Sequence, residues 1–187
     1  MAKKAAGSSL IYQIKVSLRG SKPPIWRRLM VPADLTLGDL HAILQVAMGW
    51  TDSHLHQFFV GSETYGVPHP DMDWTLDEDR VRLSKLIPGE KFKFRYEYDF
   101  GDSWEHVVLV EKVLPAEPGS TYPTCLKGKG NCPPEDCGGL GGFGDFLAAM
   151  ADPDHPEHEH LKQWSGGDYD PEEFDLAEVN RILAGPG

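Results

Sequence analysis

No stretch of the 187 residues approaches the ~20 consecutive apolar residues that a helix needs to cross a bilayer. The opening segment Met1 to Ser9, with Lys3 and Lys4, lacks the apolar core of a secretion signal. No membrane contact and a cytoplasmic location are therefore expected. Cysteine is scarce: Cys125, Cys132 and Cys137 are the three present, and an odd number in a short window argues against a disulfide framework. Acid is missing before Asp34, where seven of the 18 Lys and Arg fall; the other eleven meet 29 acids from Asp34 onward, a charge of −18 on that part against −11 for the whole chain. Such a body repels nucleic-acid phosphates, and only the basic N-terminal stretch offsets this locally, so a protein partner is favoured over nucleic acid. Glycine-rich phosphate loops, nucleophile elbows and paired metalloprotease histidines are also lacking.

What is present, 40% apolar residues, is enough to bury a core without disulfides or metal. One domain over 10–184 is expected, preceded by a disordered basic segment, 1–9. Leu10 to Leu18 alternates with the two-residue period of a half-buried strand, and Arg19 to Pro24 has turn chemistry before the extended pattern of Ile25 to Val31. Thr36 and Asp39 form a capping box ahead of Leu37, Leu40, Leu44, Ala47 and Met48, which predicts a helix ending at Gly49. A further strand is expected over Leu55 to Val60, with His54 and His56 on one face, and a loop over Gly61 to Asp79.

The cleanest signal is Lys91 to Phe100, where Phe92, Phe94, Tyr96, Tyr98 and Phe100 alternate with charged residues. Trp104 to Leu114 reads as its antiparallel partner. Pro115 to Gly142 reads as irregular, after which Phe143, Phe146, Leu147 and Met150 recur at helical spacing. Pro156 and Pro171 sit where first-turn prolines belong, and Asp175 with Glu178 caps a last helix. Strands first and helices last predict an α+β fold: an antiparallel or mixed sheet with an N-terminal hairpin, helix and strand in the order of a ubiquitin-like grasp, and C-terminal helices packed on it.

Tyr98-Asp99-Phe100-Gly101-Asp102-Ser103-Trp104-Glu105-His106 is the central candidate. If Phe100 pairs with Trp104 across a three-residue turn, Tyr98 faces His106, Tyr96 faces Val108 and Phe94 faces Val110 on one apolar face. His106 then lies in the core, and Asp99 lies opposite Glu105 on the outer face, where something must neutralise two like charges. One reading is a metal or ligand site using Asp99, Asp102 and Glu105; the other is a solvated acidic turn.

The cysteines are spaced by six and four residues, not as the tight pairs of a structural zinc site, and read either as free buried thiols or as zinc ligands. His155, His158 and His160 among acids read as an exposed helix start, or His155 and His158, three apart, as a shared metal-binding face.

These segments together resemble the plasmid pRiA open-reading-frame-three-like family, whose members also occur in bacterial mobile elements. The resemblance runs from about Ile11 to Leu183. It rests on Lys22-Pro23-Pro24-Ile25-Trp26-Arg27-Arg28, the helix from Leu37 to Trp50, Ser53-His54-Leu55-His56-Gln57-Phe58, the Tyr98 to His106 segment, Cys132-Pro133-Pro134-Glu135-Asp136-Cys137-Gly138-Gly139 and Asp168-Tyr169-Asp170-Pro171-Glu172-Glu173-Phe174. It implies no reaction.

Glu135 and Asp136 lie in a stiff Pro-Pro loop that would form an acidic cleft if folded onto Asp99, Asp102 and Glu105, attracting a divalent metal or a basic partner. The leading expectation is a non-enzymatic protein-binding or accessory module using Tyr98, Asp99, Asp102, Trp104, Glu105, His106, Glu135 and Asp136. The alternatives are a metal-dependent hydrolase with Asp99, Asp102, Glu105 and Asp136 as ligands, and a structural zinc module on Cys125, Cys132 and Cys137. Zinc or another divalent metal is the cofactor either alternative would need.

Overall fold

The computed structural model describes residues 10–69 and 75–185, so the expected disordered segment 1–9 lies outside the described residues. The fold is α+β, built on an eight-stranded sheet that is antiparallel apart from one edge pair. Strand β1 (Leu10–Leu18) and strand β2 (Trp26–Pro32) form the expected hairpin, with Ile14 opposite Leu29. Helix α1 (Leu37–Met48) begins as the capping box predicts: Thr36 Oγ1 accepts from Asp39 N at 3.1 Å, and Asp39 Oδ2 accepts from Thr36 N at 2.8 Å. It stops at Gly49, whose φ of 105° is one that L side chains rarely adopt.

Strand β3 (His56–Val60) follows, so the hairpin, helix and strand occur in the expected order. Because β1 pairs antiparallel with both its neighbours, the ubiquitin-like grasp stays an analogy of element order. The span 61–79 is not all loop. It holds β4 (Glu63–Gly66), β5 (Thr75–Asp77) and the start of a 3-10 turn over Glu78–Arg80, which the single-turn α2 (Leu83–Leu86) follows. Strands of four and three residues are too short to show a period.

Strand β6 (Lys93–Tyr98) and strand β7 (Trp104–Pro115) supply the centre, β8 (Thr124–Lys129) closes one edge, and the strand order is β5-β4-β3-β6-β7-β1-β2-β8. Strand β8 falls in the stretch read as irregular. Its backbone is held by a side chain: Asn180 Oδ1 accepts from Cys125 N at 2.7 Å and its Nδ2 donates to Cys125 O at 2.9 Å, which occupies groups that an exposed edge would offer to another chain. Asn180 belongs to α5 (Leu176–Leu183), capped by Asp175 as expected. The other late helices are α3 (Gly139–Ala151) and α4 (His158–Trp164). Pro171 starts no helix; Asp170 Oδ1 accepts from Glu172 N at 2.9 Å and makes a turn there.

One face of the sheet is buried. Tyr12, Ile14, Val16, Leu29, Phe58, Phe94, Tyr96, Trp104, Val108 and Val110 join Leu40, Leu44 and Met48 of α1 and Phe143 and Phe146 of α3 in a single core. Arg27 is an inward-pointing cation in that core, 2% exposed. Its guanidinium is held by carbonyls alone: Nε donates to Ala47 O at 2.6 Å, one terminal nitrogen to Trp26 O and Lys129 O, the other to Gly130 O, each at 2.9 Å. Phe174 stacks on it with 4.1 Å between the guanidinium carbon and the ring centre. Four segments, β2, the end of α1, the end of β8 and the 171–174 turn, are thereby tied to one side chain. No helix among the described residues is long and apolar enough to cross a membrane.

Candidate functional site

The β6–β7 hairpin keeps the predicted parity but slips by two residues. Tyr98 pairs with Trp104, Tyr96 with His106 and Phe94 with Val108, and Glu105 faces Glu97 where Asp99 was expected. The cause is local. Asp99 and Ser103 take left-handed φ values of 59° and 53°, Asp99 Oδ1 accepts from Gly101 N at 2.9 Å and Asp102 N at 3.3 Å, and the ladder ends at Tyr98. Five residues, not three, make the turn, and Phe100 is left exposed.

His106 lies in the core as expected. It is fully buried, and burial pushes its pKa down to about 4, so it is neutral. Its Nδ1 donates to Tyr96 O at 3.3 Å. Trp104 is equally buried, edge-on to Phe143 with 6.5 Å between ring centres, so neither side chain can touch a partner directly.

On the outer face the like charges are resolved. Glu105 accepts from Arg19 at 2.7 Å and from Arg95 at 3.2 Å, while Glu97 accepts from Gln57 and Ser103, both at 2.7 Å.

The Pro-Pro loop does fold against the hairpin tip. Trp50 Nε1 donates to Pro133 O at 3.1 Å. Glu135 accepts from the Tyr98 hydroxyl at 2.6 Å and from Thr51 Oγ1 at 2.5 Å. Burial raises the Glu135 pKa, but the bonds from Thr51 and Tyr98 outweigh it and hold the carboxyl below its ordinary value. Asp102 Oδ2 accepts from Gly138 N at 3.1 Å, placing a carboxylate at the N-terminus of α3, where the helix dipole favours it. Gly139 makes the approach possible: a Cβ there would lie 2.5 Å from Asp102 O.

Of the expected acidic cleft, therefore, Asp99, Asp102, Glu135 and Asp136 gather while Glu105 does not. The four-carboxylate ligand set of a hydrolase is split, since Glu105 is paired on the other face and Asp102 caps a helix.

His54 replaces them. It lies in the loop before β3 rather than on the strand, with Nε2 3.3 Å from Asp136 Oδ1 and 3.7 Å from Asp99 Oδ2. The spacing of His54 from His56 points both to one strand face, and it is the early end of pairing at His56 that frees His54. Sequence reasoning also missed an inner network. His41 stacks on His56 with ring centres 3.4 Å apart; His41 bonds Tyr96 Oη and Asp52 Oδ1, each at 2.8 Å, and His56 Nε2 donates to the buried Glu78 at 2.9 Å. Burial, then the adjacent His56, lowers the His41 pKa. His41 sits on the apolar face of α1, where periodicity alone gives no sign of a polar role.

The cysteines do not converge: among the described residues, no group of potential metal ligands contains one. Cys125 is buried and donates to Lys127 O. Burial pushes the Cys132 pKa well above its ordinary value and that of Cys137 up to about 12. His155 lies in the turn before α4, His158 Nδ1 bonds Ala149 O at 2.8 Å and His160 Nδ1 bonds Glu157 at 3.1 Å, so they share no face.

Beside Asp136 a cleft of about 370 Å³ opens between α3 and α4. Asp136, Asp145 and Glu157 line it, His160 stands by Glu157, and Trp164, 45% exposed, is its open aromatic ring, packed edge-on against the buried Phe146.

With this geometry, comparison with known proteins is specific. A model of the plasmid pRiA4b ORF-3-like protein family matches residues 10–178. The uncharacterized protein y4hQ of Sinorhizobium fredii is 39% identical over 176 residues, which cover 92% of this chain and 90% of that one. The crystal structure of MM3350 from Methanosarcina mazei Go1, a protein of unknown function, has 37% identity and a TM-score of 0.82 over 91% of this chain and 98% of that one. The chain belongs to the plasmid pRiA4b ORF-3-like protein family.

Proposed function

We propose that residues 10–184 act as one non-enzymatic binding module, an accessory protein of plasmids or mobile elements that receives a lysine or arginine side chain of a protein partner in the cleft between α3 and α4. The observation that carries the reading is the pairing of three acidic residues, Asp136, Asp145 and Glu157, with the exposed ring of Trp164 in one cleft. Carboxylates attract a cation, and an aromatic face adds about 0.5–2 kcal/mol when the cation is desolvated over it. The volume, about 370 Å³, is at the small end of ligand pockets and fits one long side chain better than a folded substrate. The charge of the chain from Asp34 onward steers a basic segment toward it and a phosphate backbone away.

The test is an NMR titration of the chain with short peptides containing Lys or Arg, following the Trp164 indole resonance. Saturable movement of that resonance, lost in Trp164→Ala and weakened in Glu157→Gln, is expected. Identical titrations for the wild type and both variants would dismiss the cleft as the site.

A further inference from the structure

We propose that His54 Nε2, Asp99 Oδ2 and Asp136 Oδ1 together hold one divalent transition-metal ion of the Zn²⁺ or Mn²⁺ kind. The three ligand atoms lie within 4.8 Å of one another. A tetrahedral ion with bonds of about 2.1 Å sets its ligands about 3.4 Å apart, close to the 3.3 Å and 3.7 Å that separate His54 Nε2 from Asp136 and Asp99. A small inward movement of the exposed Asp136 completes the set.

Two independent features mark these atoms as waiting for a ligand. His54 Nε2 is buried and has no hydrogen-bond partner, being misaligned for Asp136 and too far from Asp99. The Asp99 side chain is only 9% exposed; its Oδ1 is engaged by Gly101 N and Asp102 N, which leaves Oδ2 turned toward the imidazole. A largely enclosed carboxylate whose free oxygen faces an imidazole is favoured by a cation between them. Asp136 is 71% exposed, so its side remains open for water or a partner's group to complete the coordination.

The second cluster of this kind, His41, Asp52 and His56, serves as an internal contrast. His41 has a partner on each ring nitrogen, and His56 Nε2 is held by Glu78. Their rings are also stacked within 4° of parallel, so in-plane lone pairs run side by side and do not converge on a point. The imidazole at the His54 site selects against Mg²⁺ and Ca²⁺, which prefer all-oxygen shells.

Titration of the full chain with Mn²⁺, followed by electron paramagnetic resonance, and with Zn²⁺, followed by calorimetry, tests this site separately from peptide binding. One ion per chain is expected, with thermal stabilisation by Mn²⁺ and none by Mg²⁺ at equal concentration. His54→Ala and Asp136→Asn should each weaken binding at least ~10-fold. Asp136→Asn is the folding-safe variant, since the residue is exposed and Asn tolerates its φ of 60°. Undiminished Mn²⁺ binding in either variant, Mg²⁺ binding as tight as Mn²⁺, or no binding below about 1 mM would overturn the site.

Discussion

The Tyr98 hydroxyl donates to Glu135 Oε1 at 2.6 Å and accepts from Ser53 N at 3.0 Å, so one phenol at the end of β6 joins the loop before β3 to the Pro-Pro loop before α3. Tyr98→Phe leaves both partners without it. A loss of about 1–3 kcal/mol is expected by chemical denaturation, with faster hydrogen exchange in 132–137 and no change in the sheet. Unchanged exchange there would mean that Trp50 and Thr51 hold the loop alone.

Acid sensitivity follows from His106. Its pKa of about 4 in the fold lies below the 6.5 of the unfolded chain, so the unfolded state takes up the proton first. The associated stability is fully present above about pH 6.5 and is lost as pH falls toward about 4, a loss on the order of 3 kcal/mol. The neighbours fix the sign: Trp50 and Tyr96 pack on the ring, each with 5.3 Å between ring centres, and the Arg27 cation opposes a second charge. Unfolding midpoints between pH 7 and pH 4 should therefore fall less in His106→Phe than in the wild type.

Arg27 should be among the least replaceable residues. Arg27→Met strands the carbonyls of Ala47, Lys129 and Gly130, and a loss of about 3 kcal/mol or more is expected. Arg27→Lys should recover little, because an ammonium cannot present the planar fork that reaches four carbonyls or stack on Phe174. Thermal unfolding of the two variants checks both statements.

Asp102 and Glu105, paired in the sequence reading, should separate on mutation. Asp102→Ala removes the carboxylate at the start of α3 and should cost about 1 kcal/mol. Glu105→Gln weakens exposed ion pairs to Arg19 and Arg95 and should change stability by less than about 0.5 kcal/mol. Equal losses would contradict the division of the hairpin between a capping residue and a surface pair.

The elements with long periods were legible in the chain itself: β1, α1, β6 and β7 follow from alternation or helical spacing, and Thr36 with Asp39 fixed the start of α1. The inward parity of His106 was legible as well, because burial of the aromatic face admits only registers differing by two. The two-residue slip was not, since it depends on Asp99 and Ser103 adopting left-handed backbone. Strands β4 and β5 were hidden by their length, and β8 by glycine and lysine at positions where a neighbour supplies the pairing. At the site, the docking of Glu135 and Asp136 was foreseeable from stiff prolines beside an acidic tip. His54 and the α3–α4 cleft were not, because they arise from loops and helices that meet only in three dimensions.

Charge reversal in the cleft separates a basic-partner site from an inert surface most directly. Asp145 and Glu157 are both exposed, so Asp145→Lys with Glu157→Lys should fold as the wild type does. Titrated with the Lys- or Arg-containing peptide that best moves the Trp164 resonance, the wild type should bind with an affinity that falls as salt rises, and the doubly reversed chain should not bind it. Equal affinity in the two chains, or no peptide binding by the wild type, would contradict the proposed function.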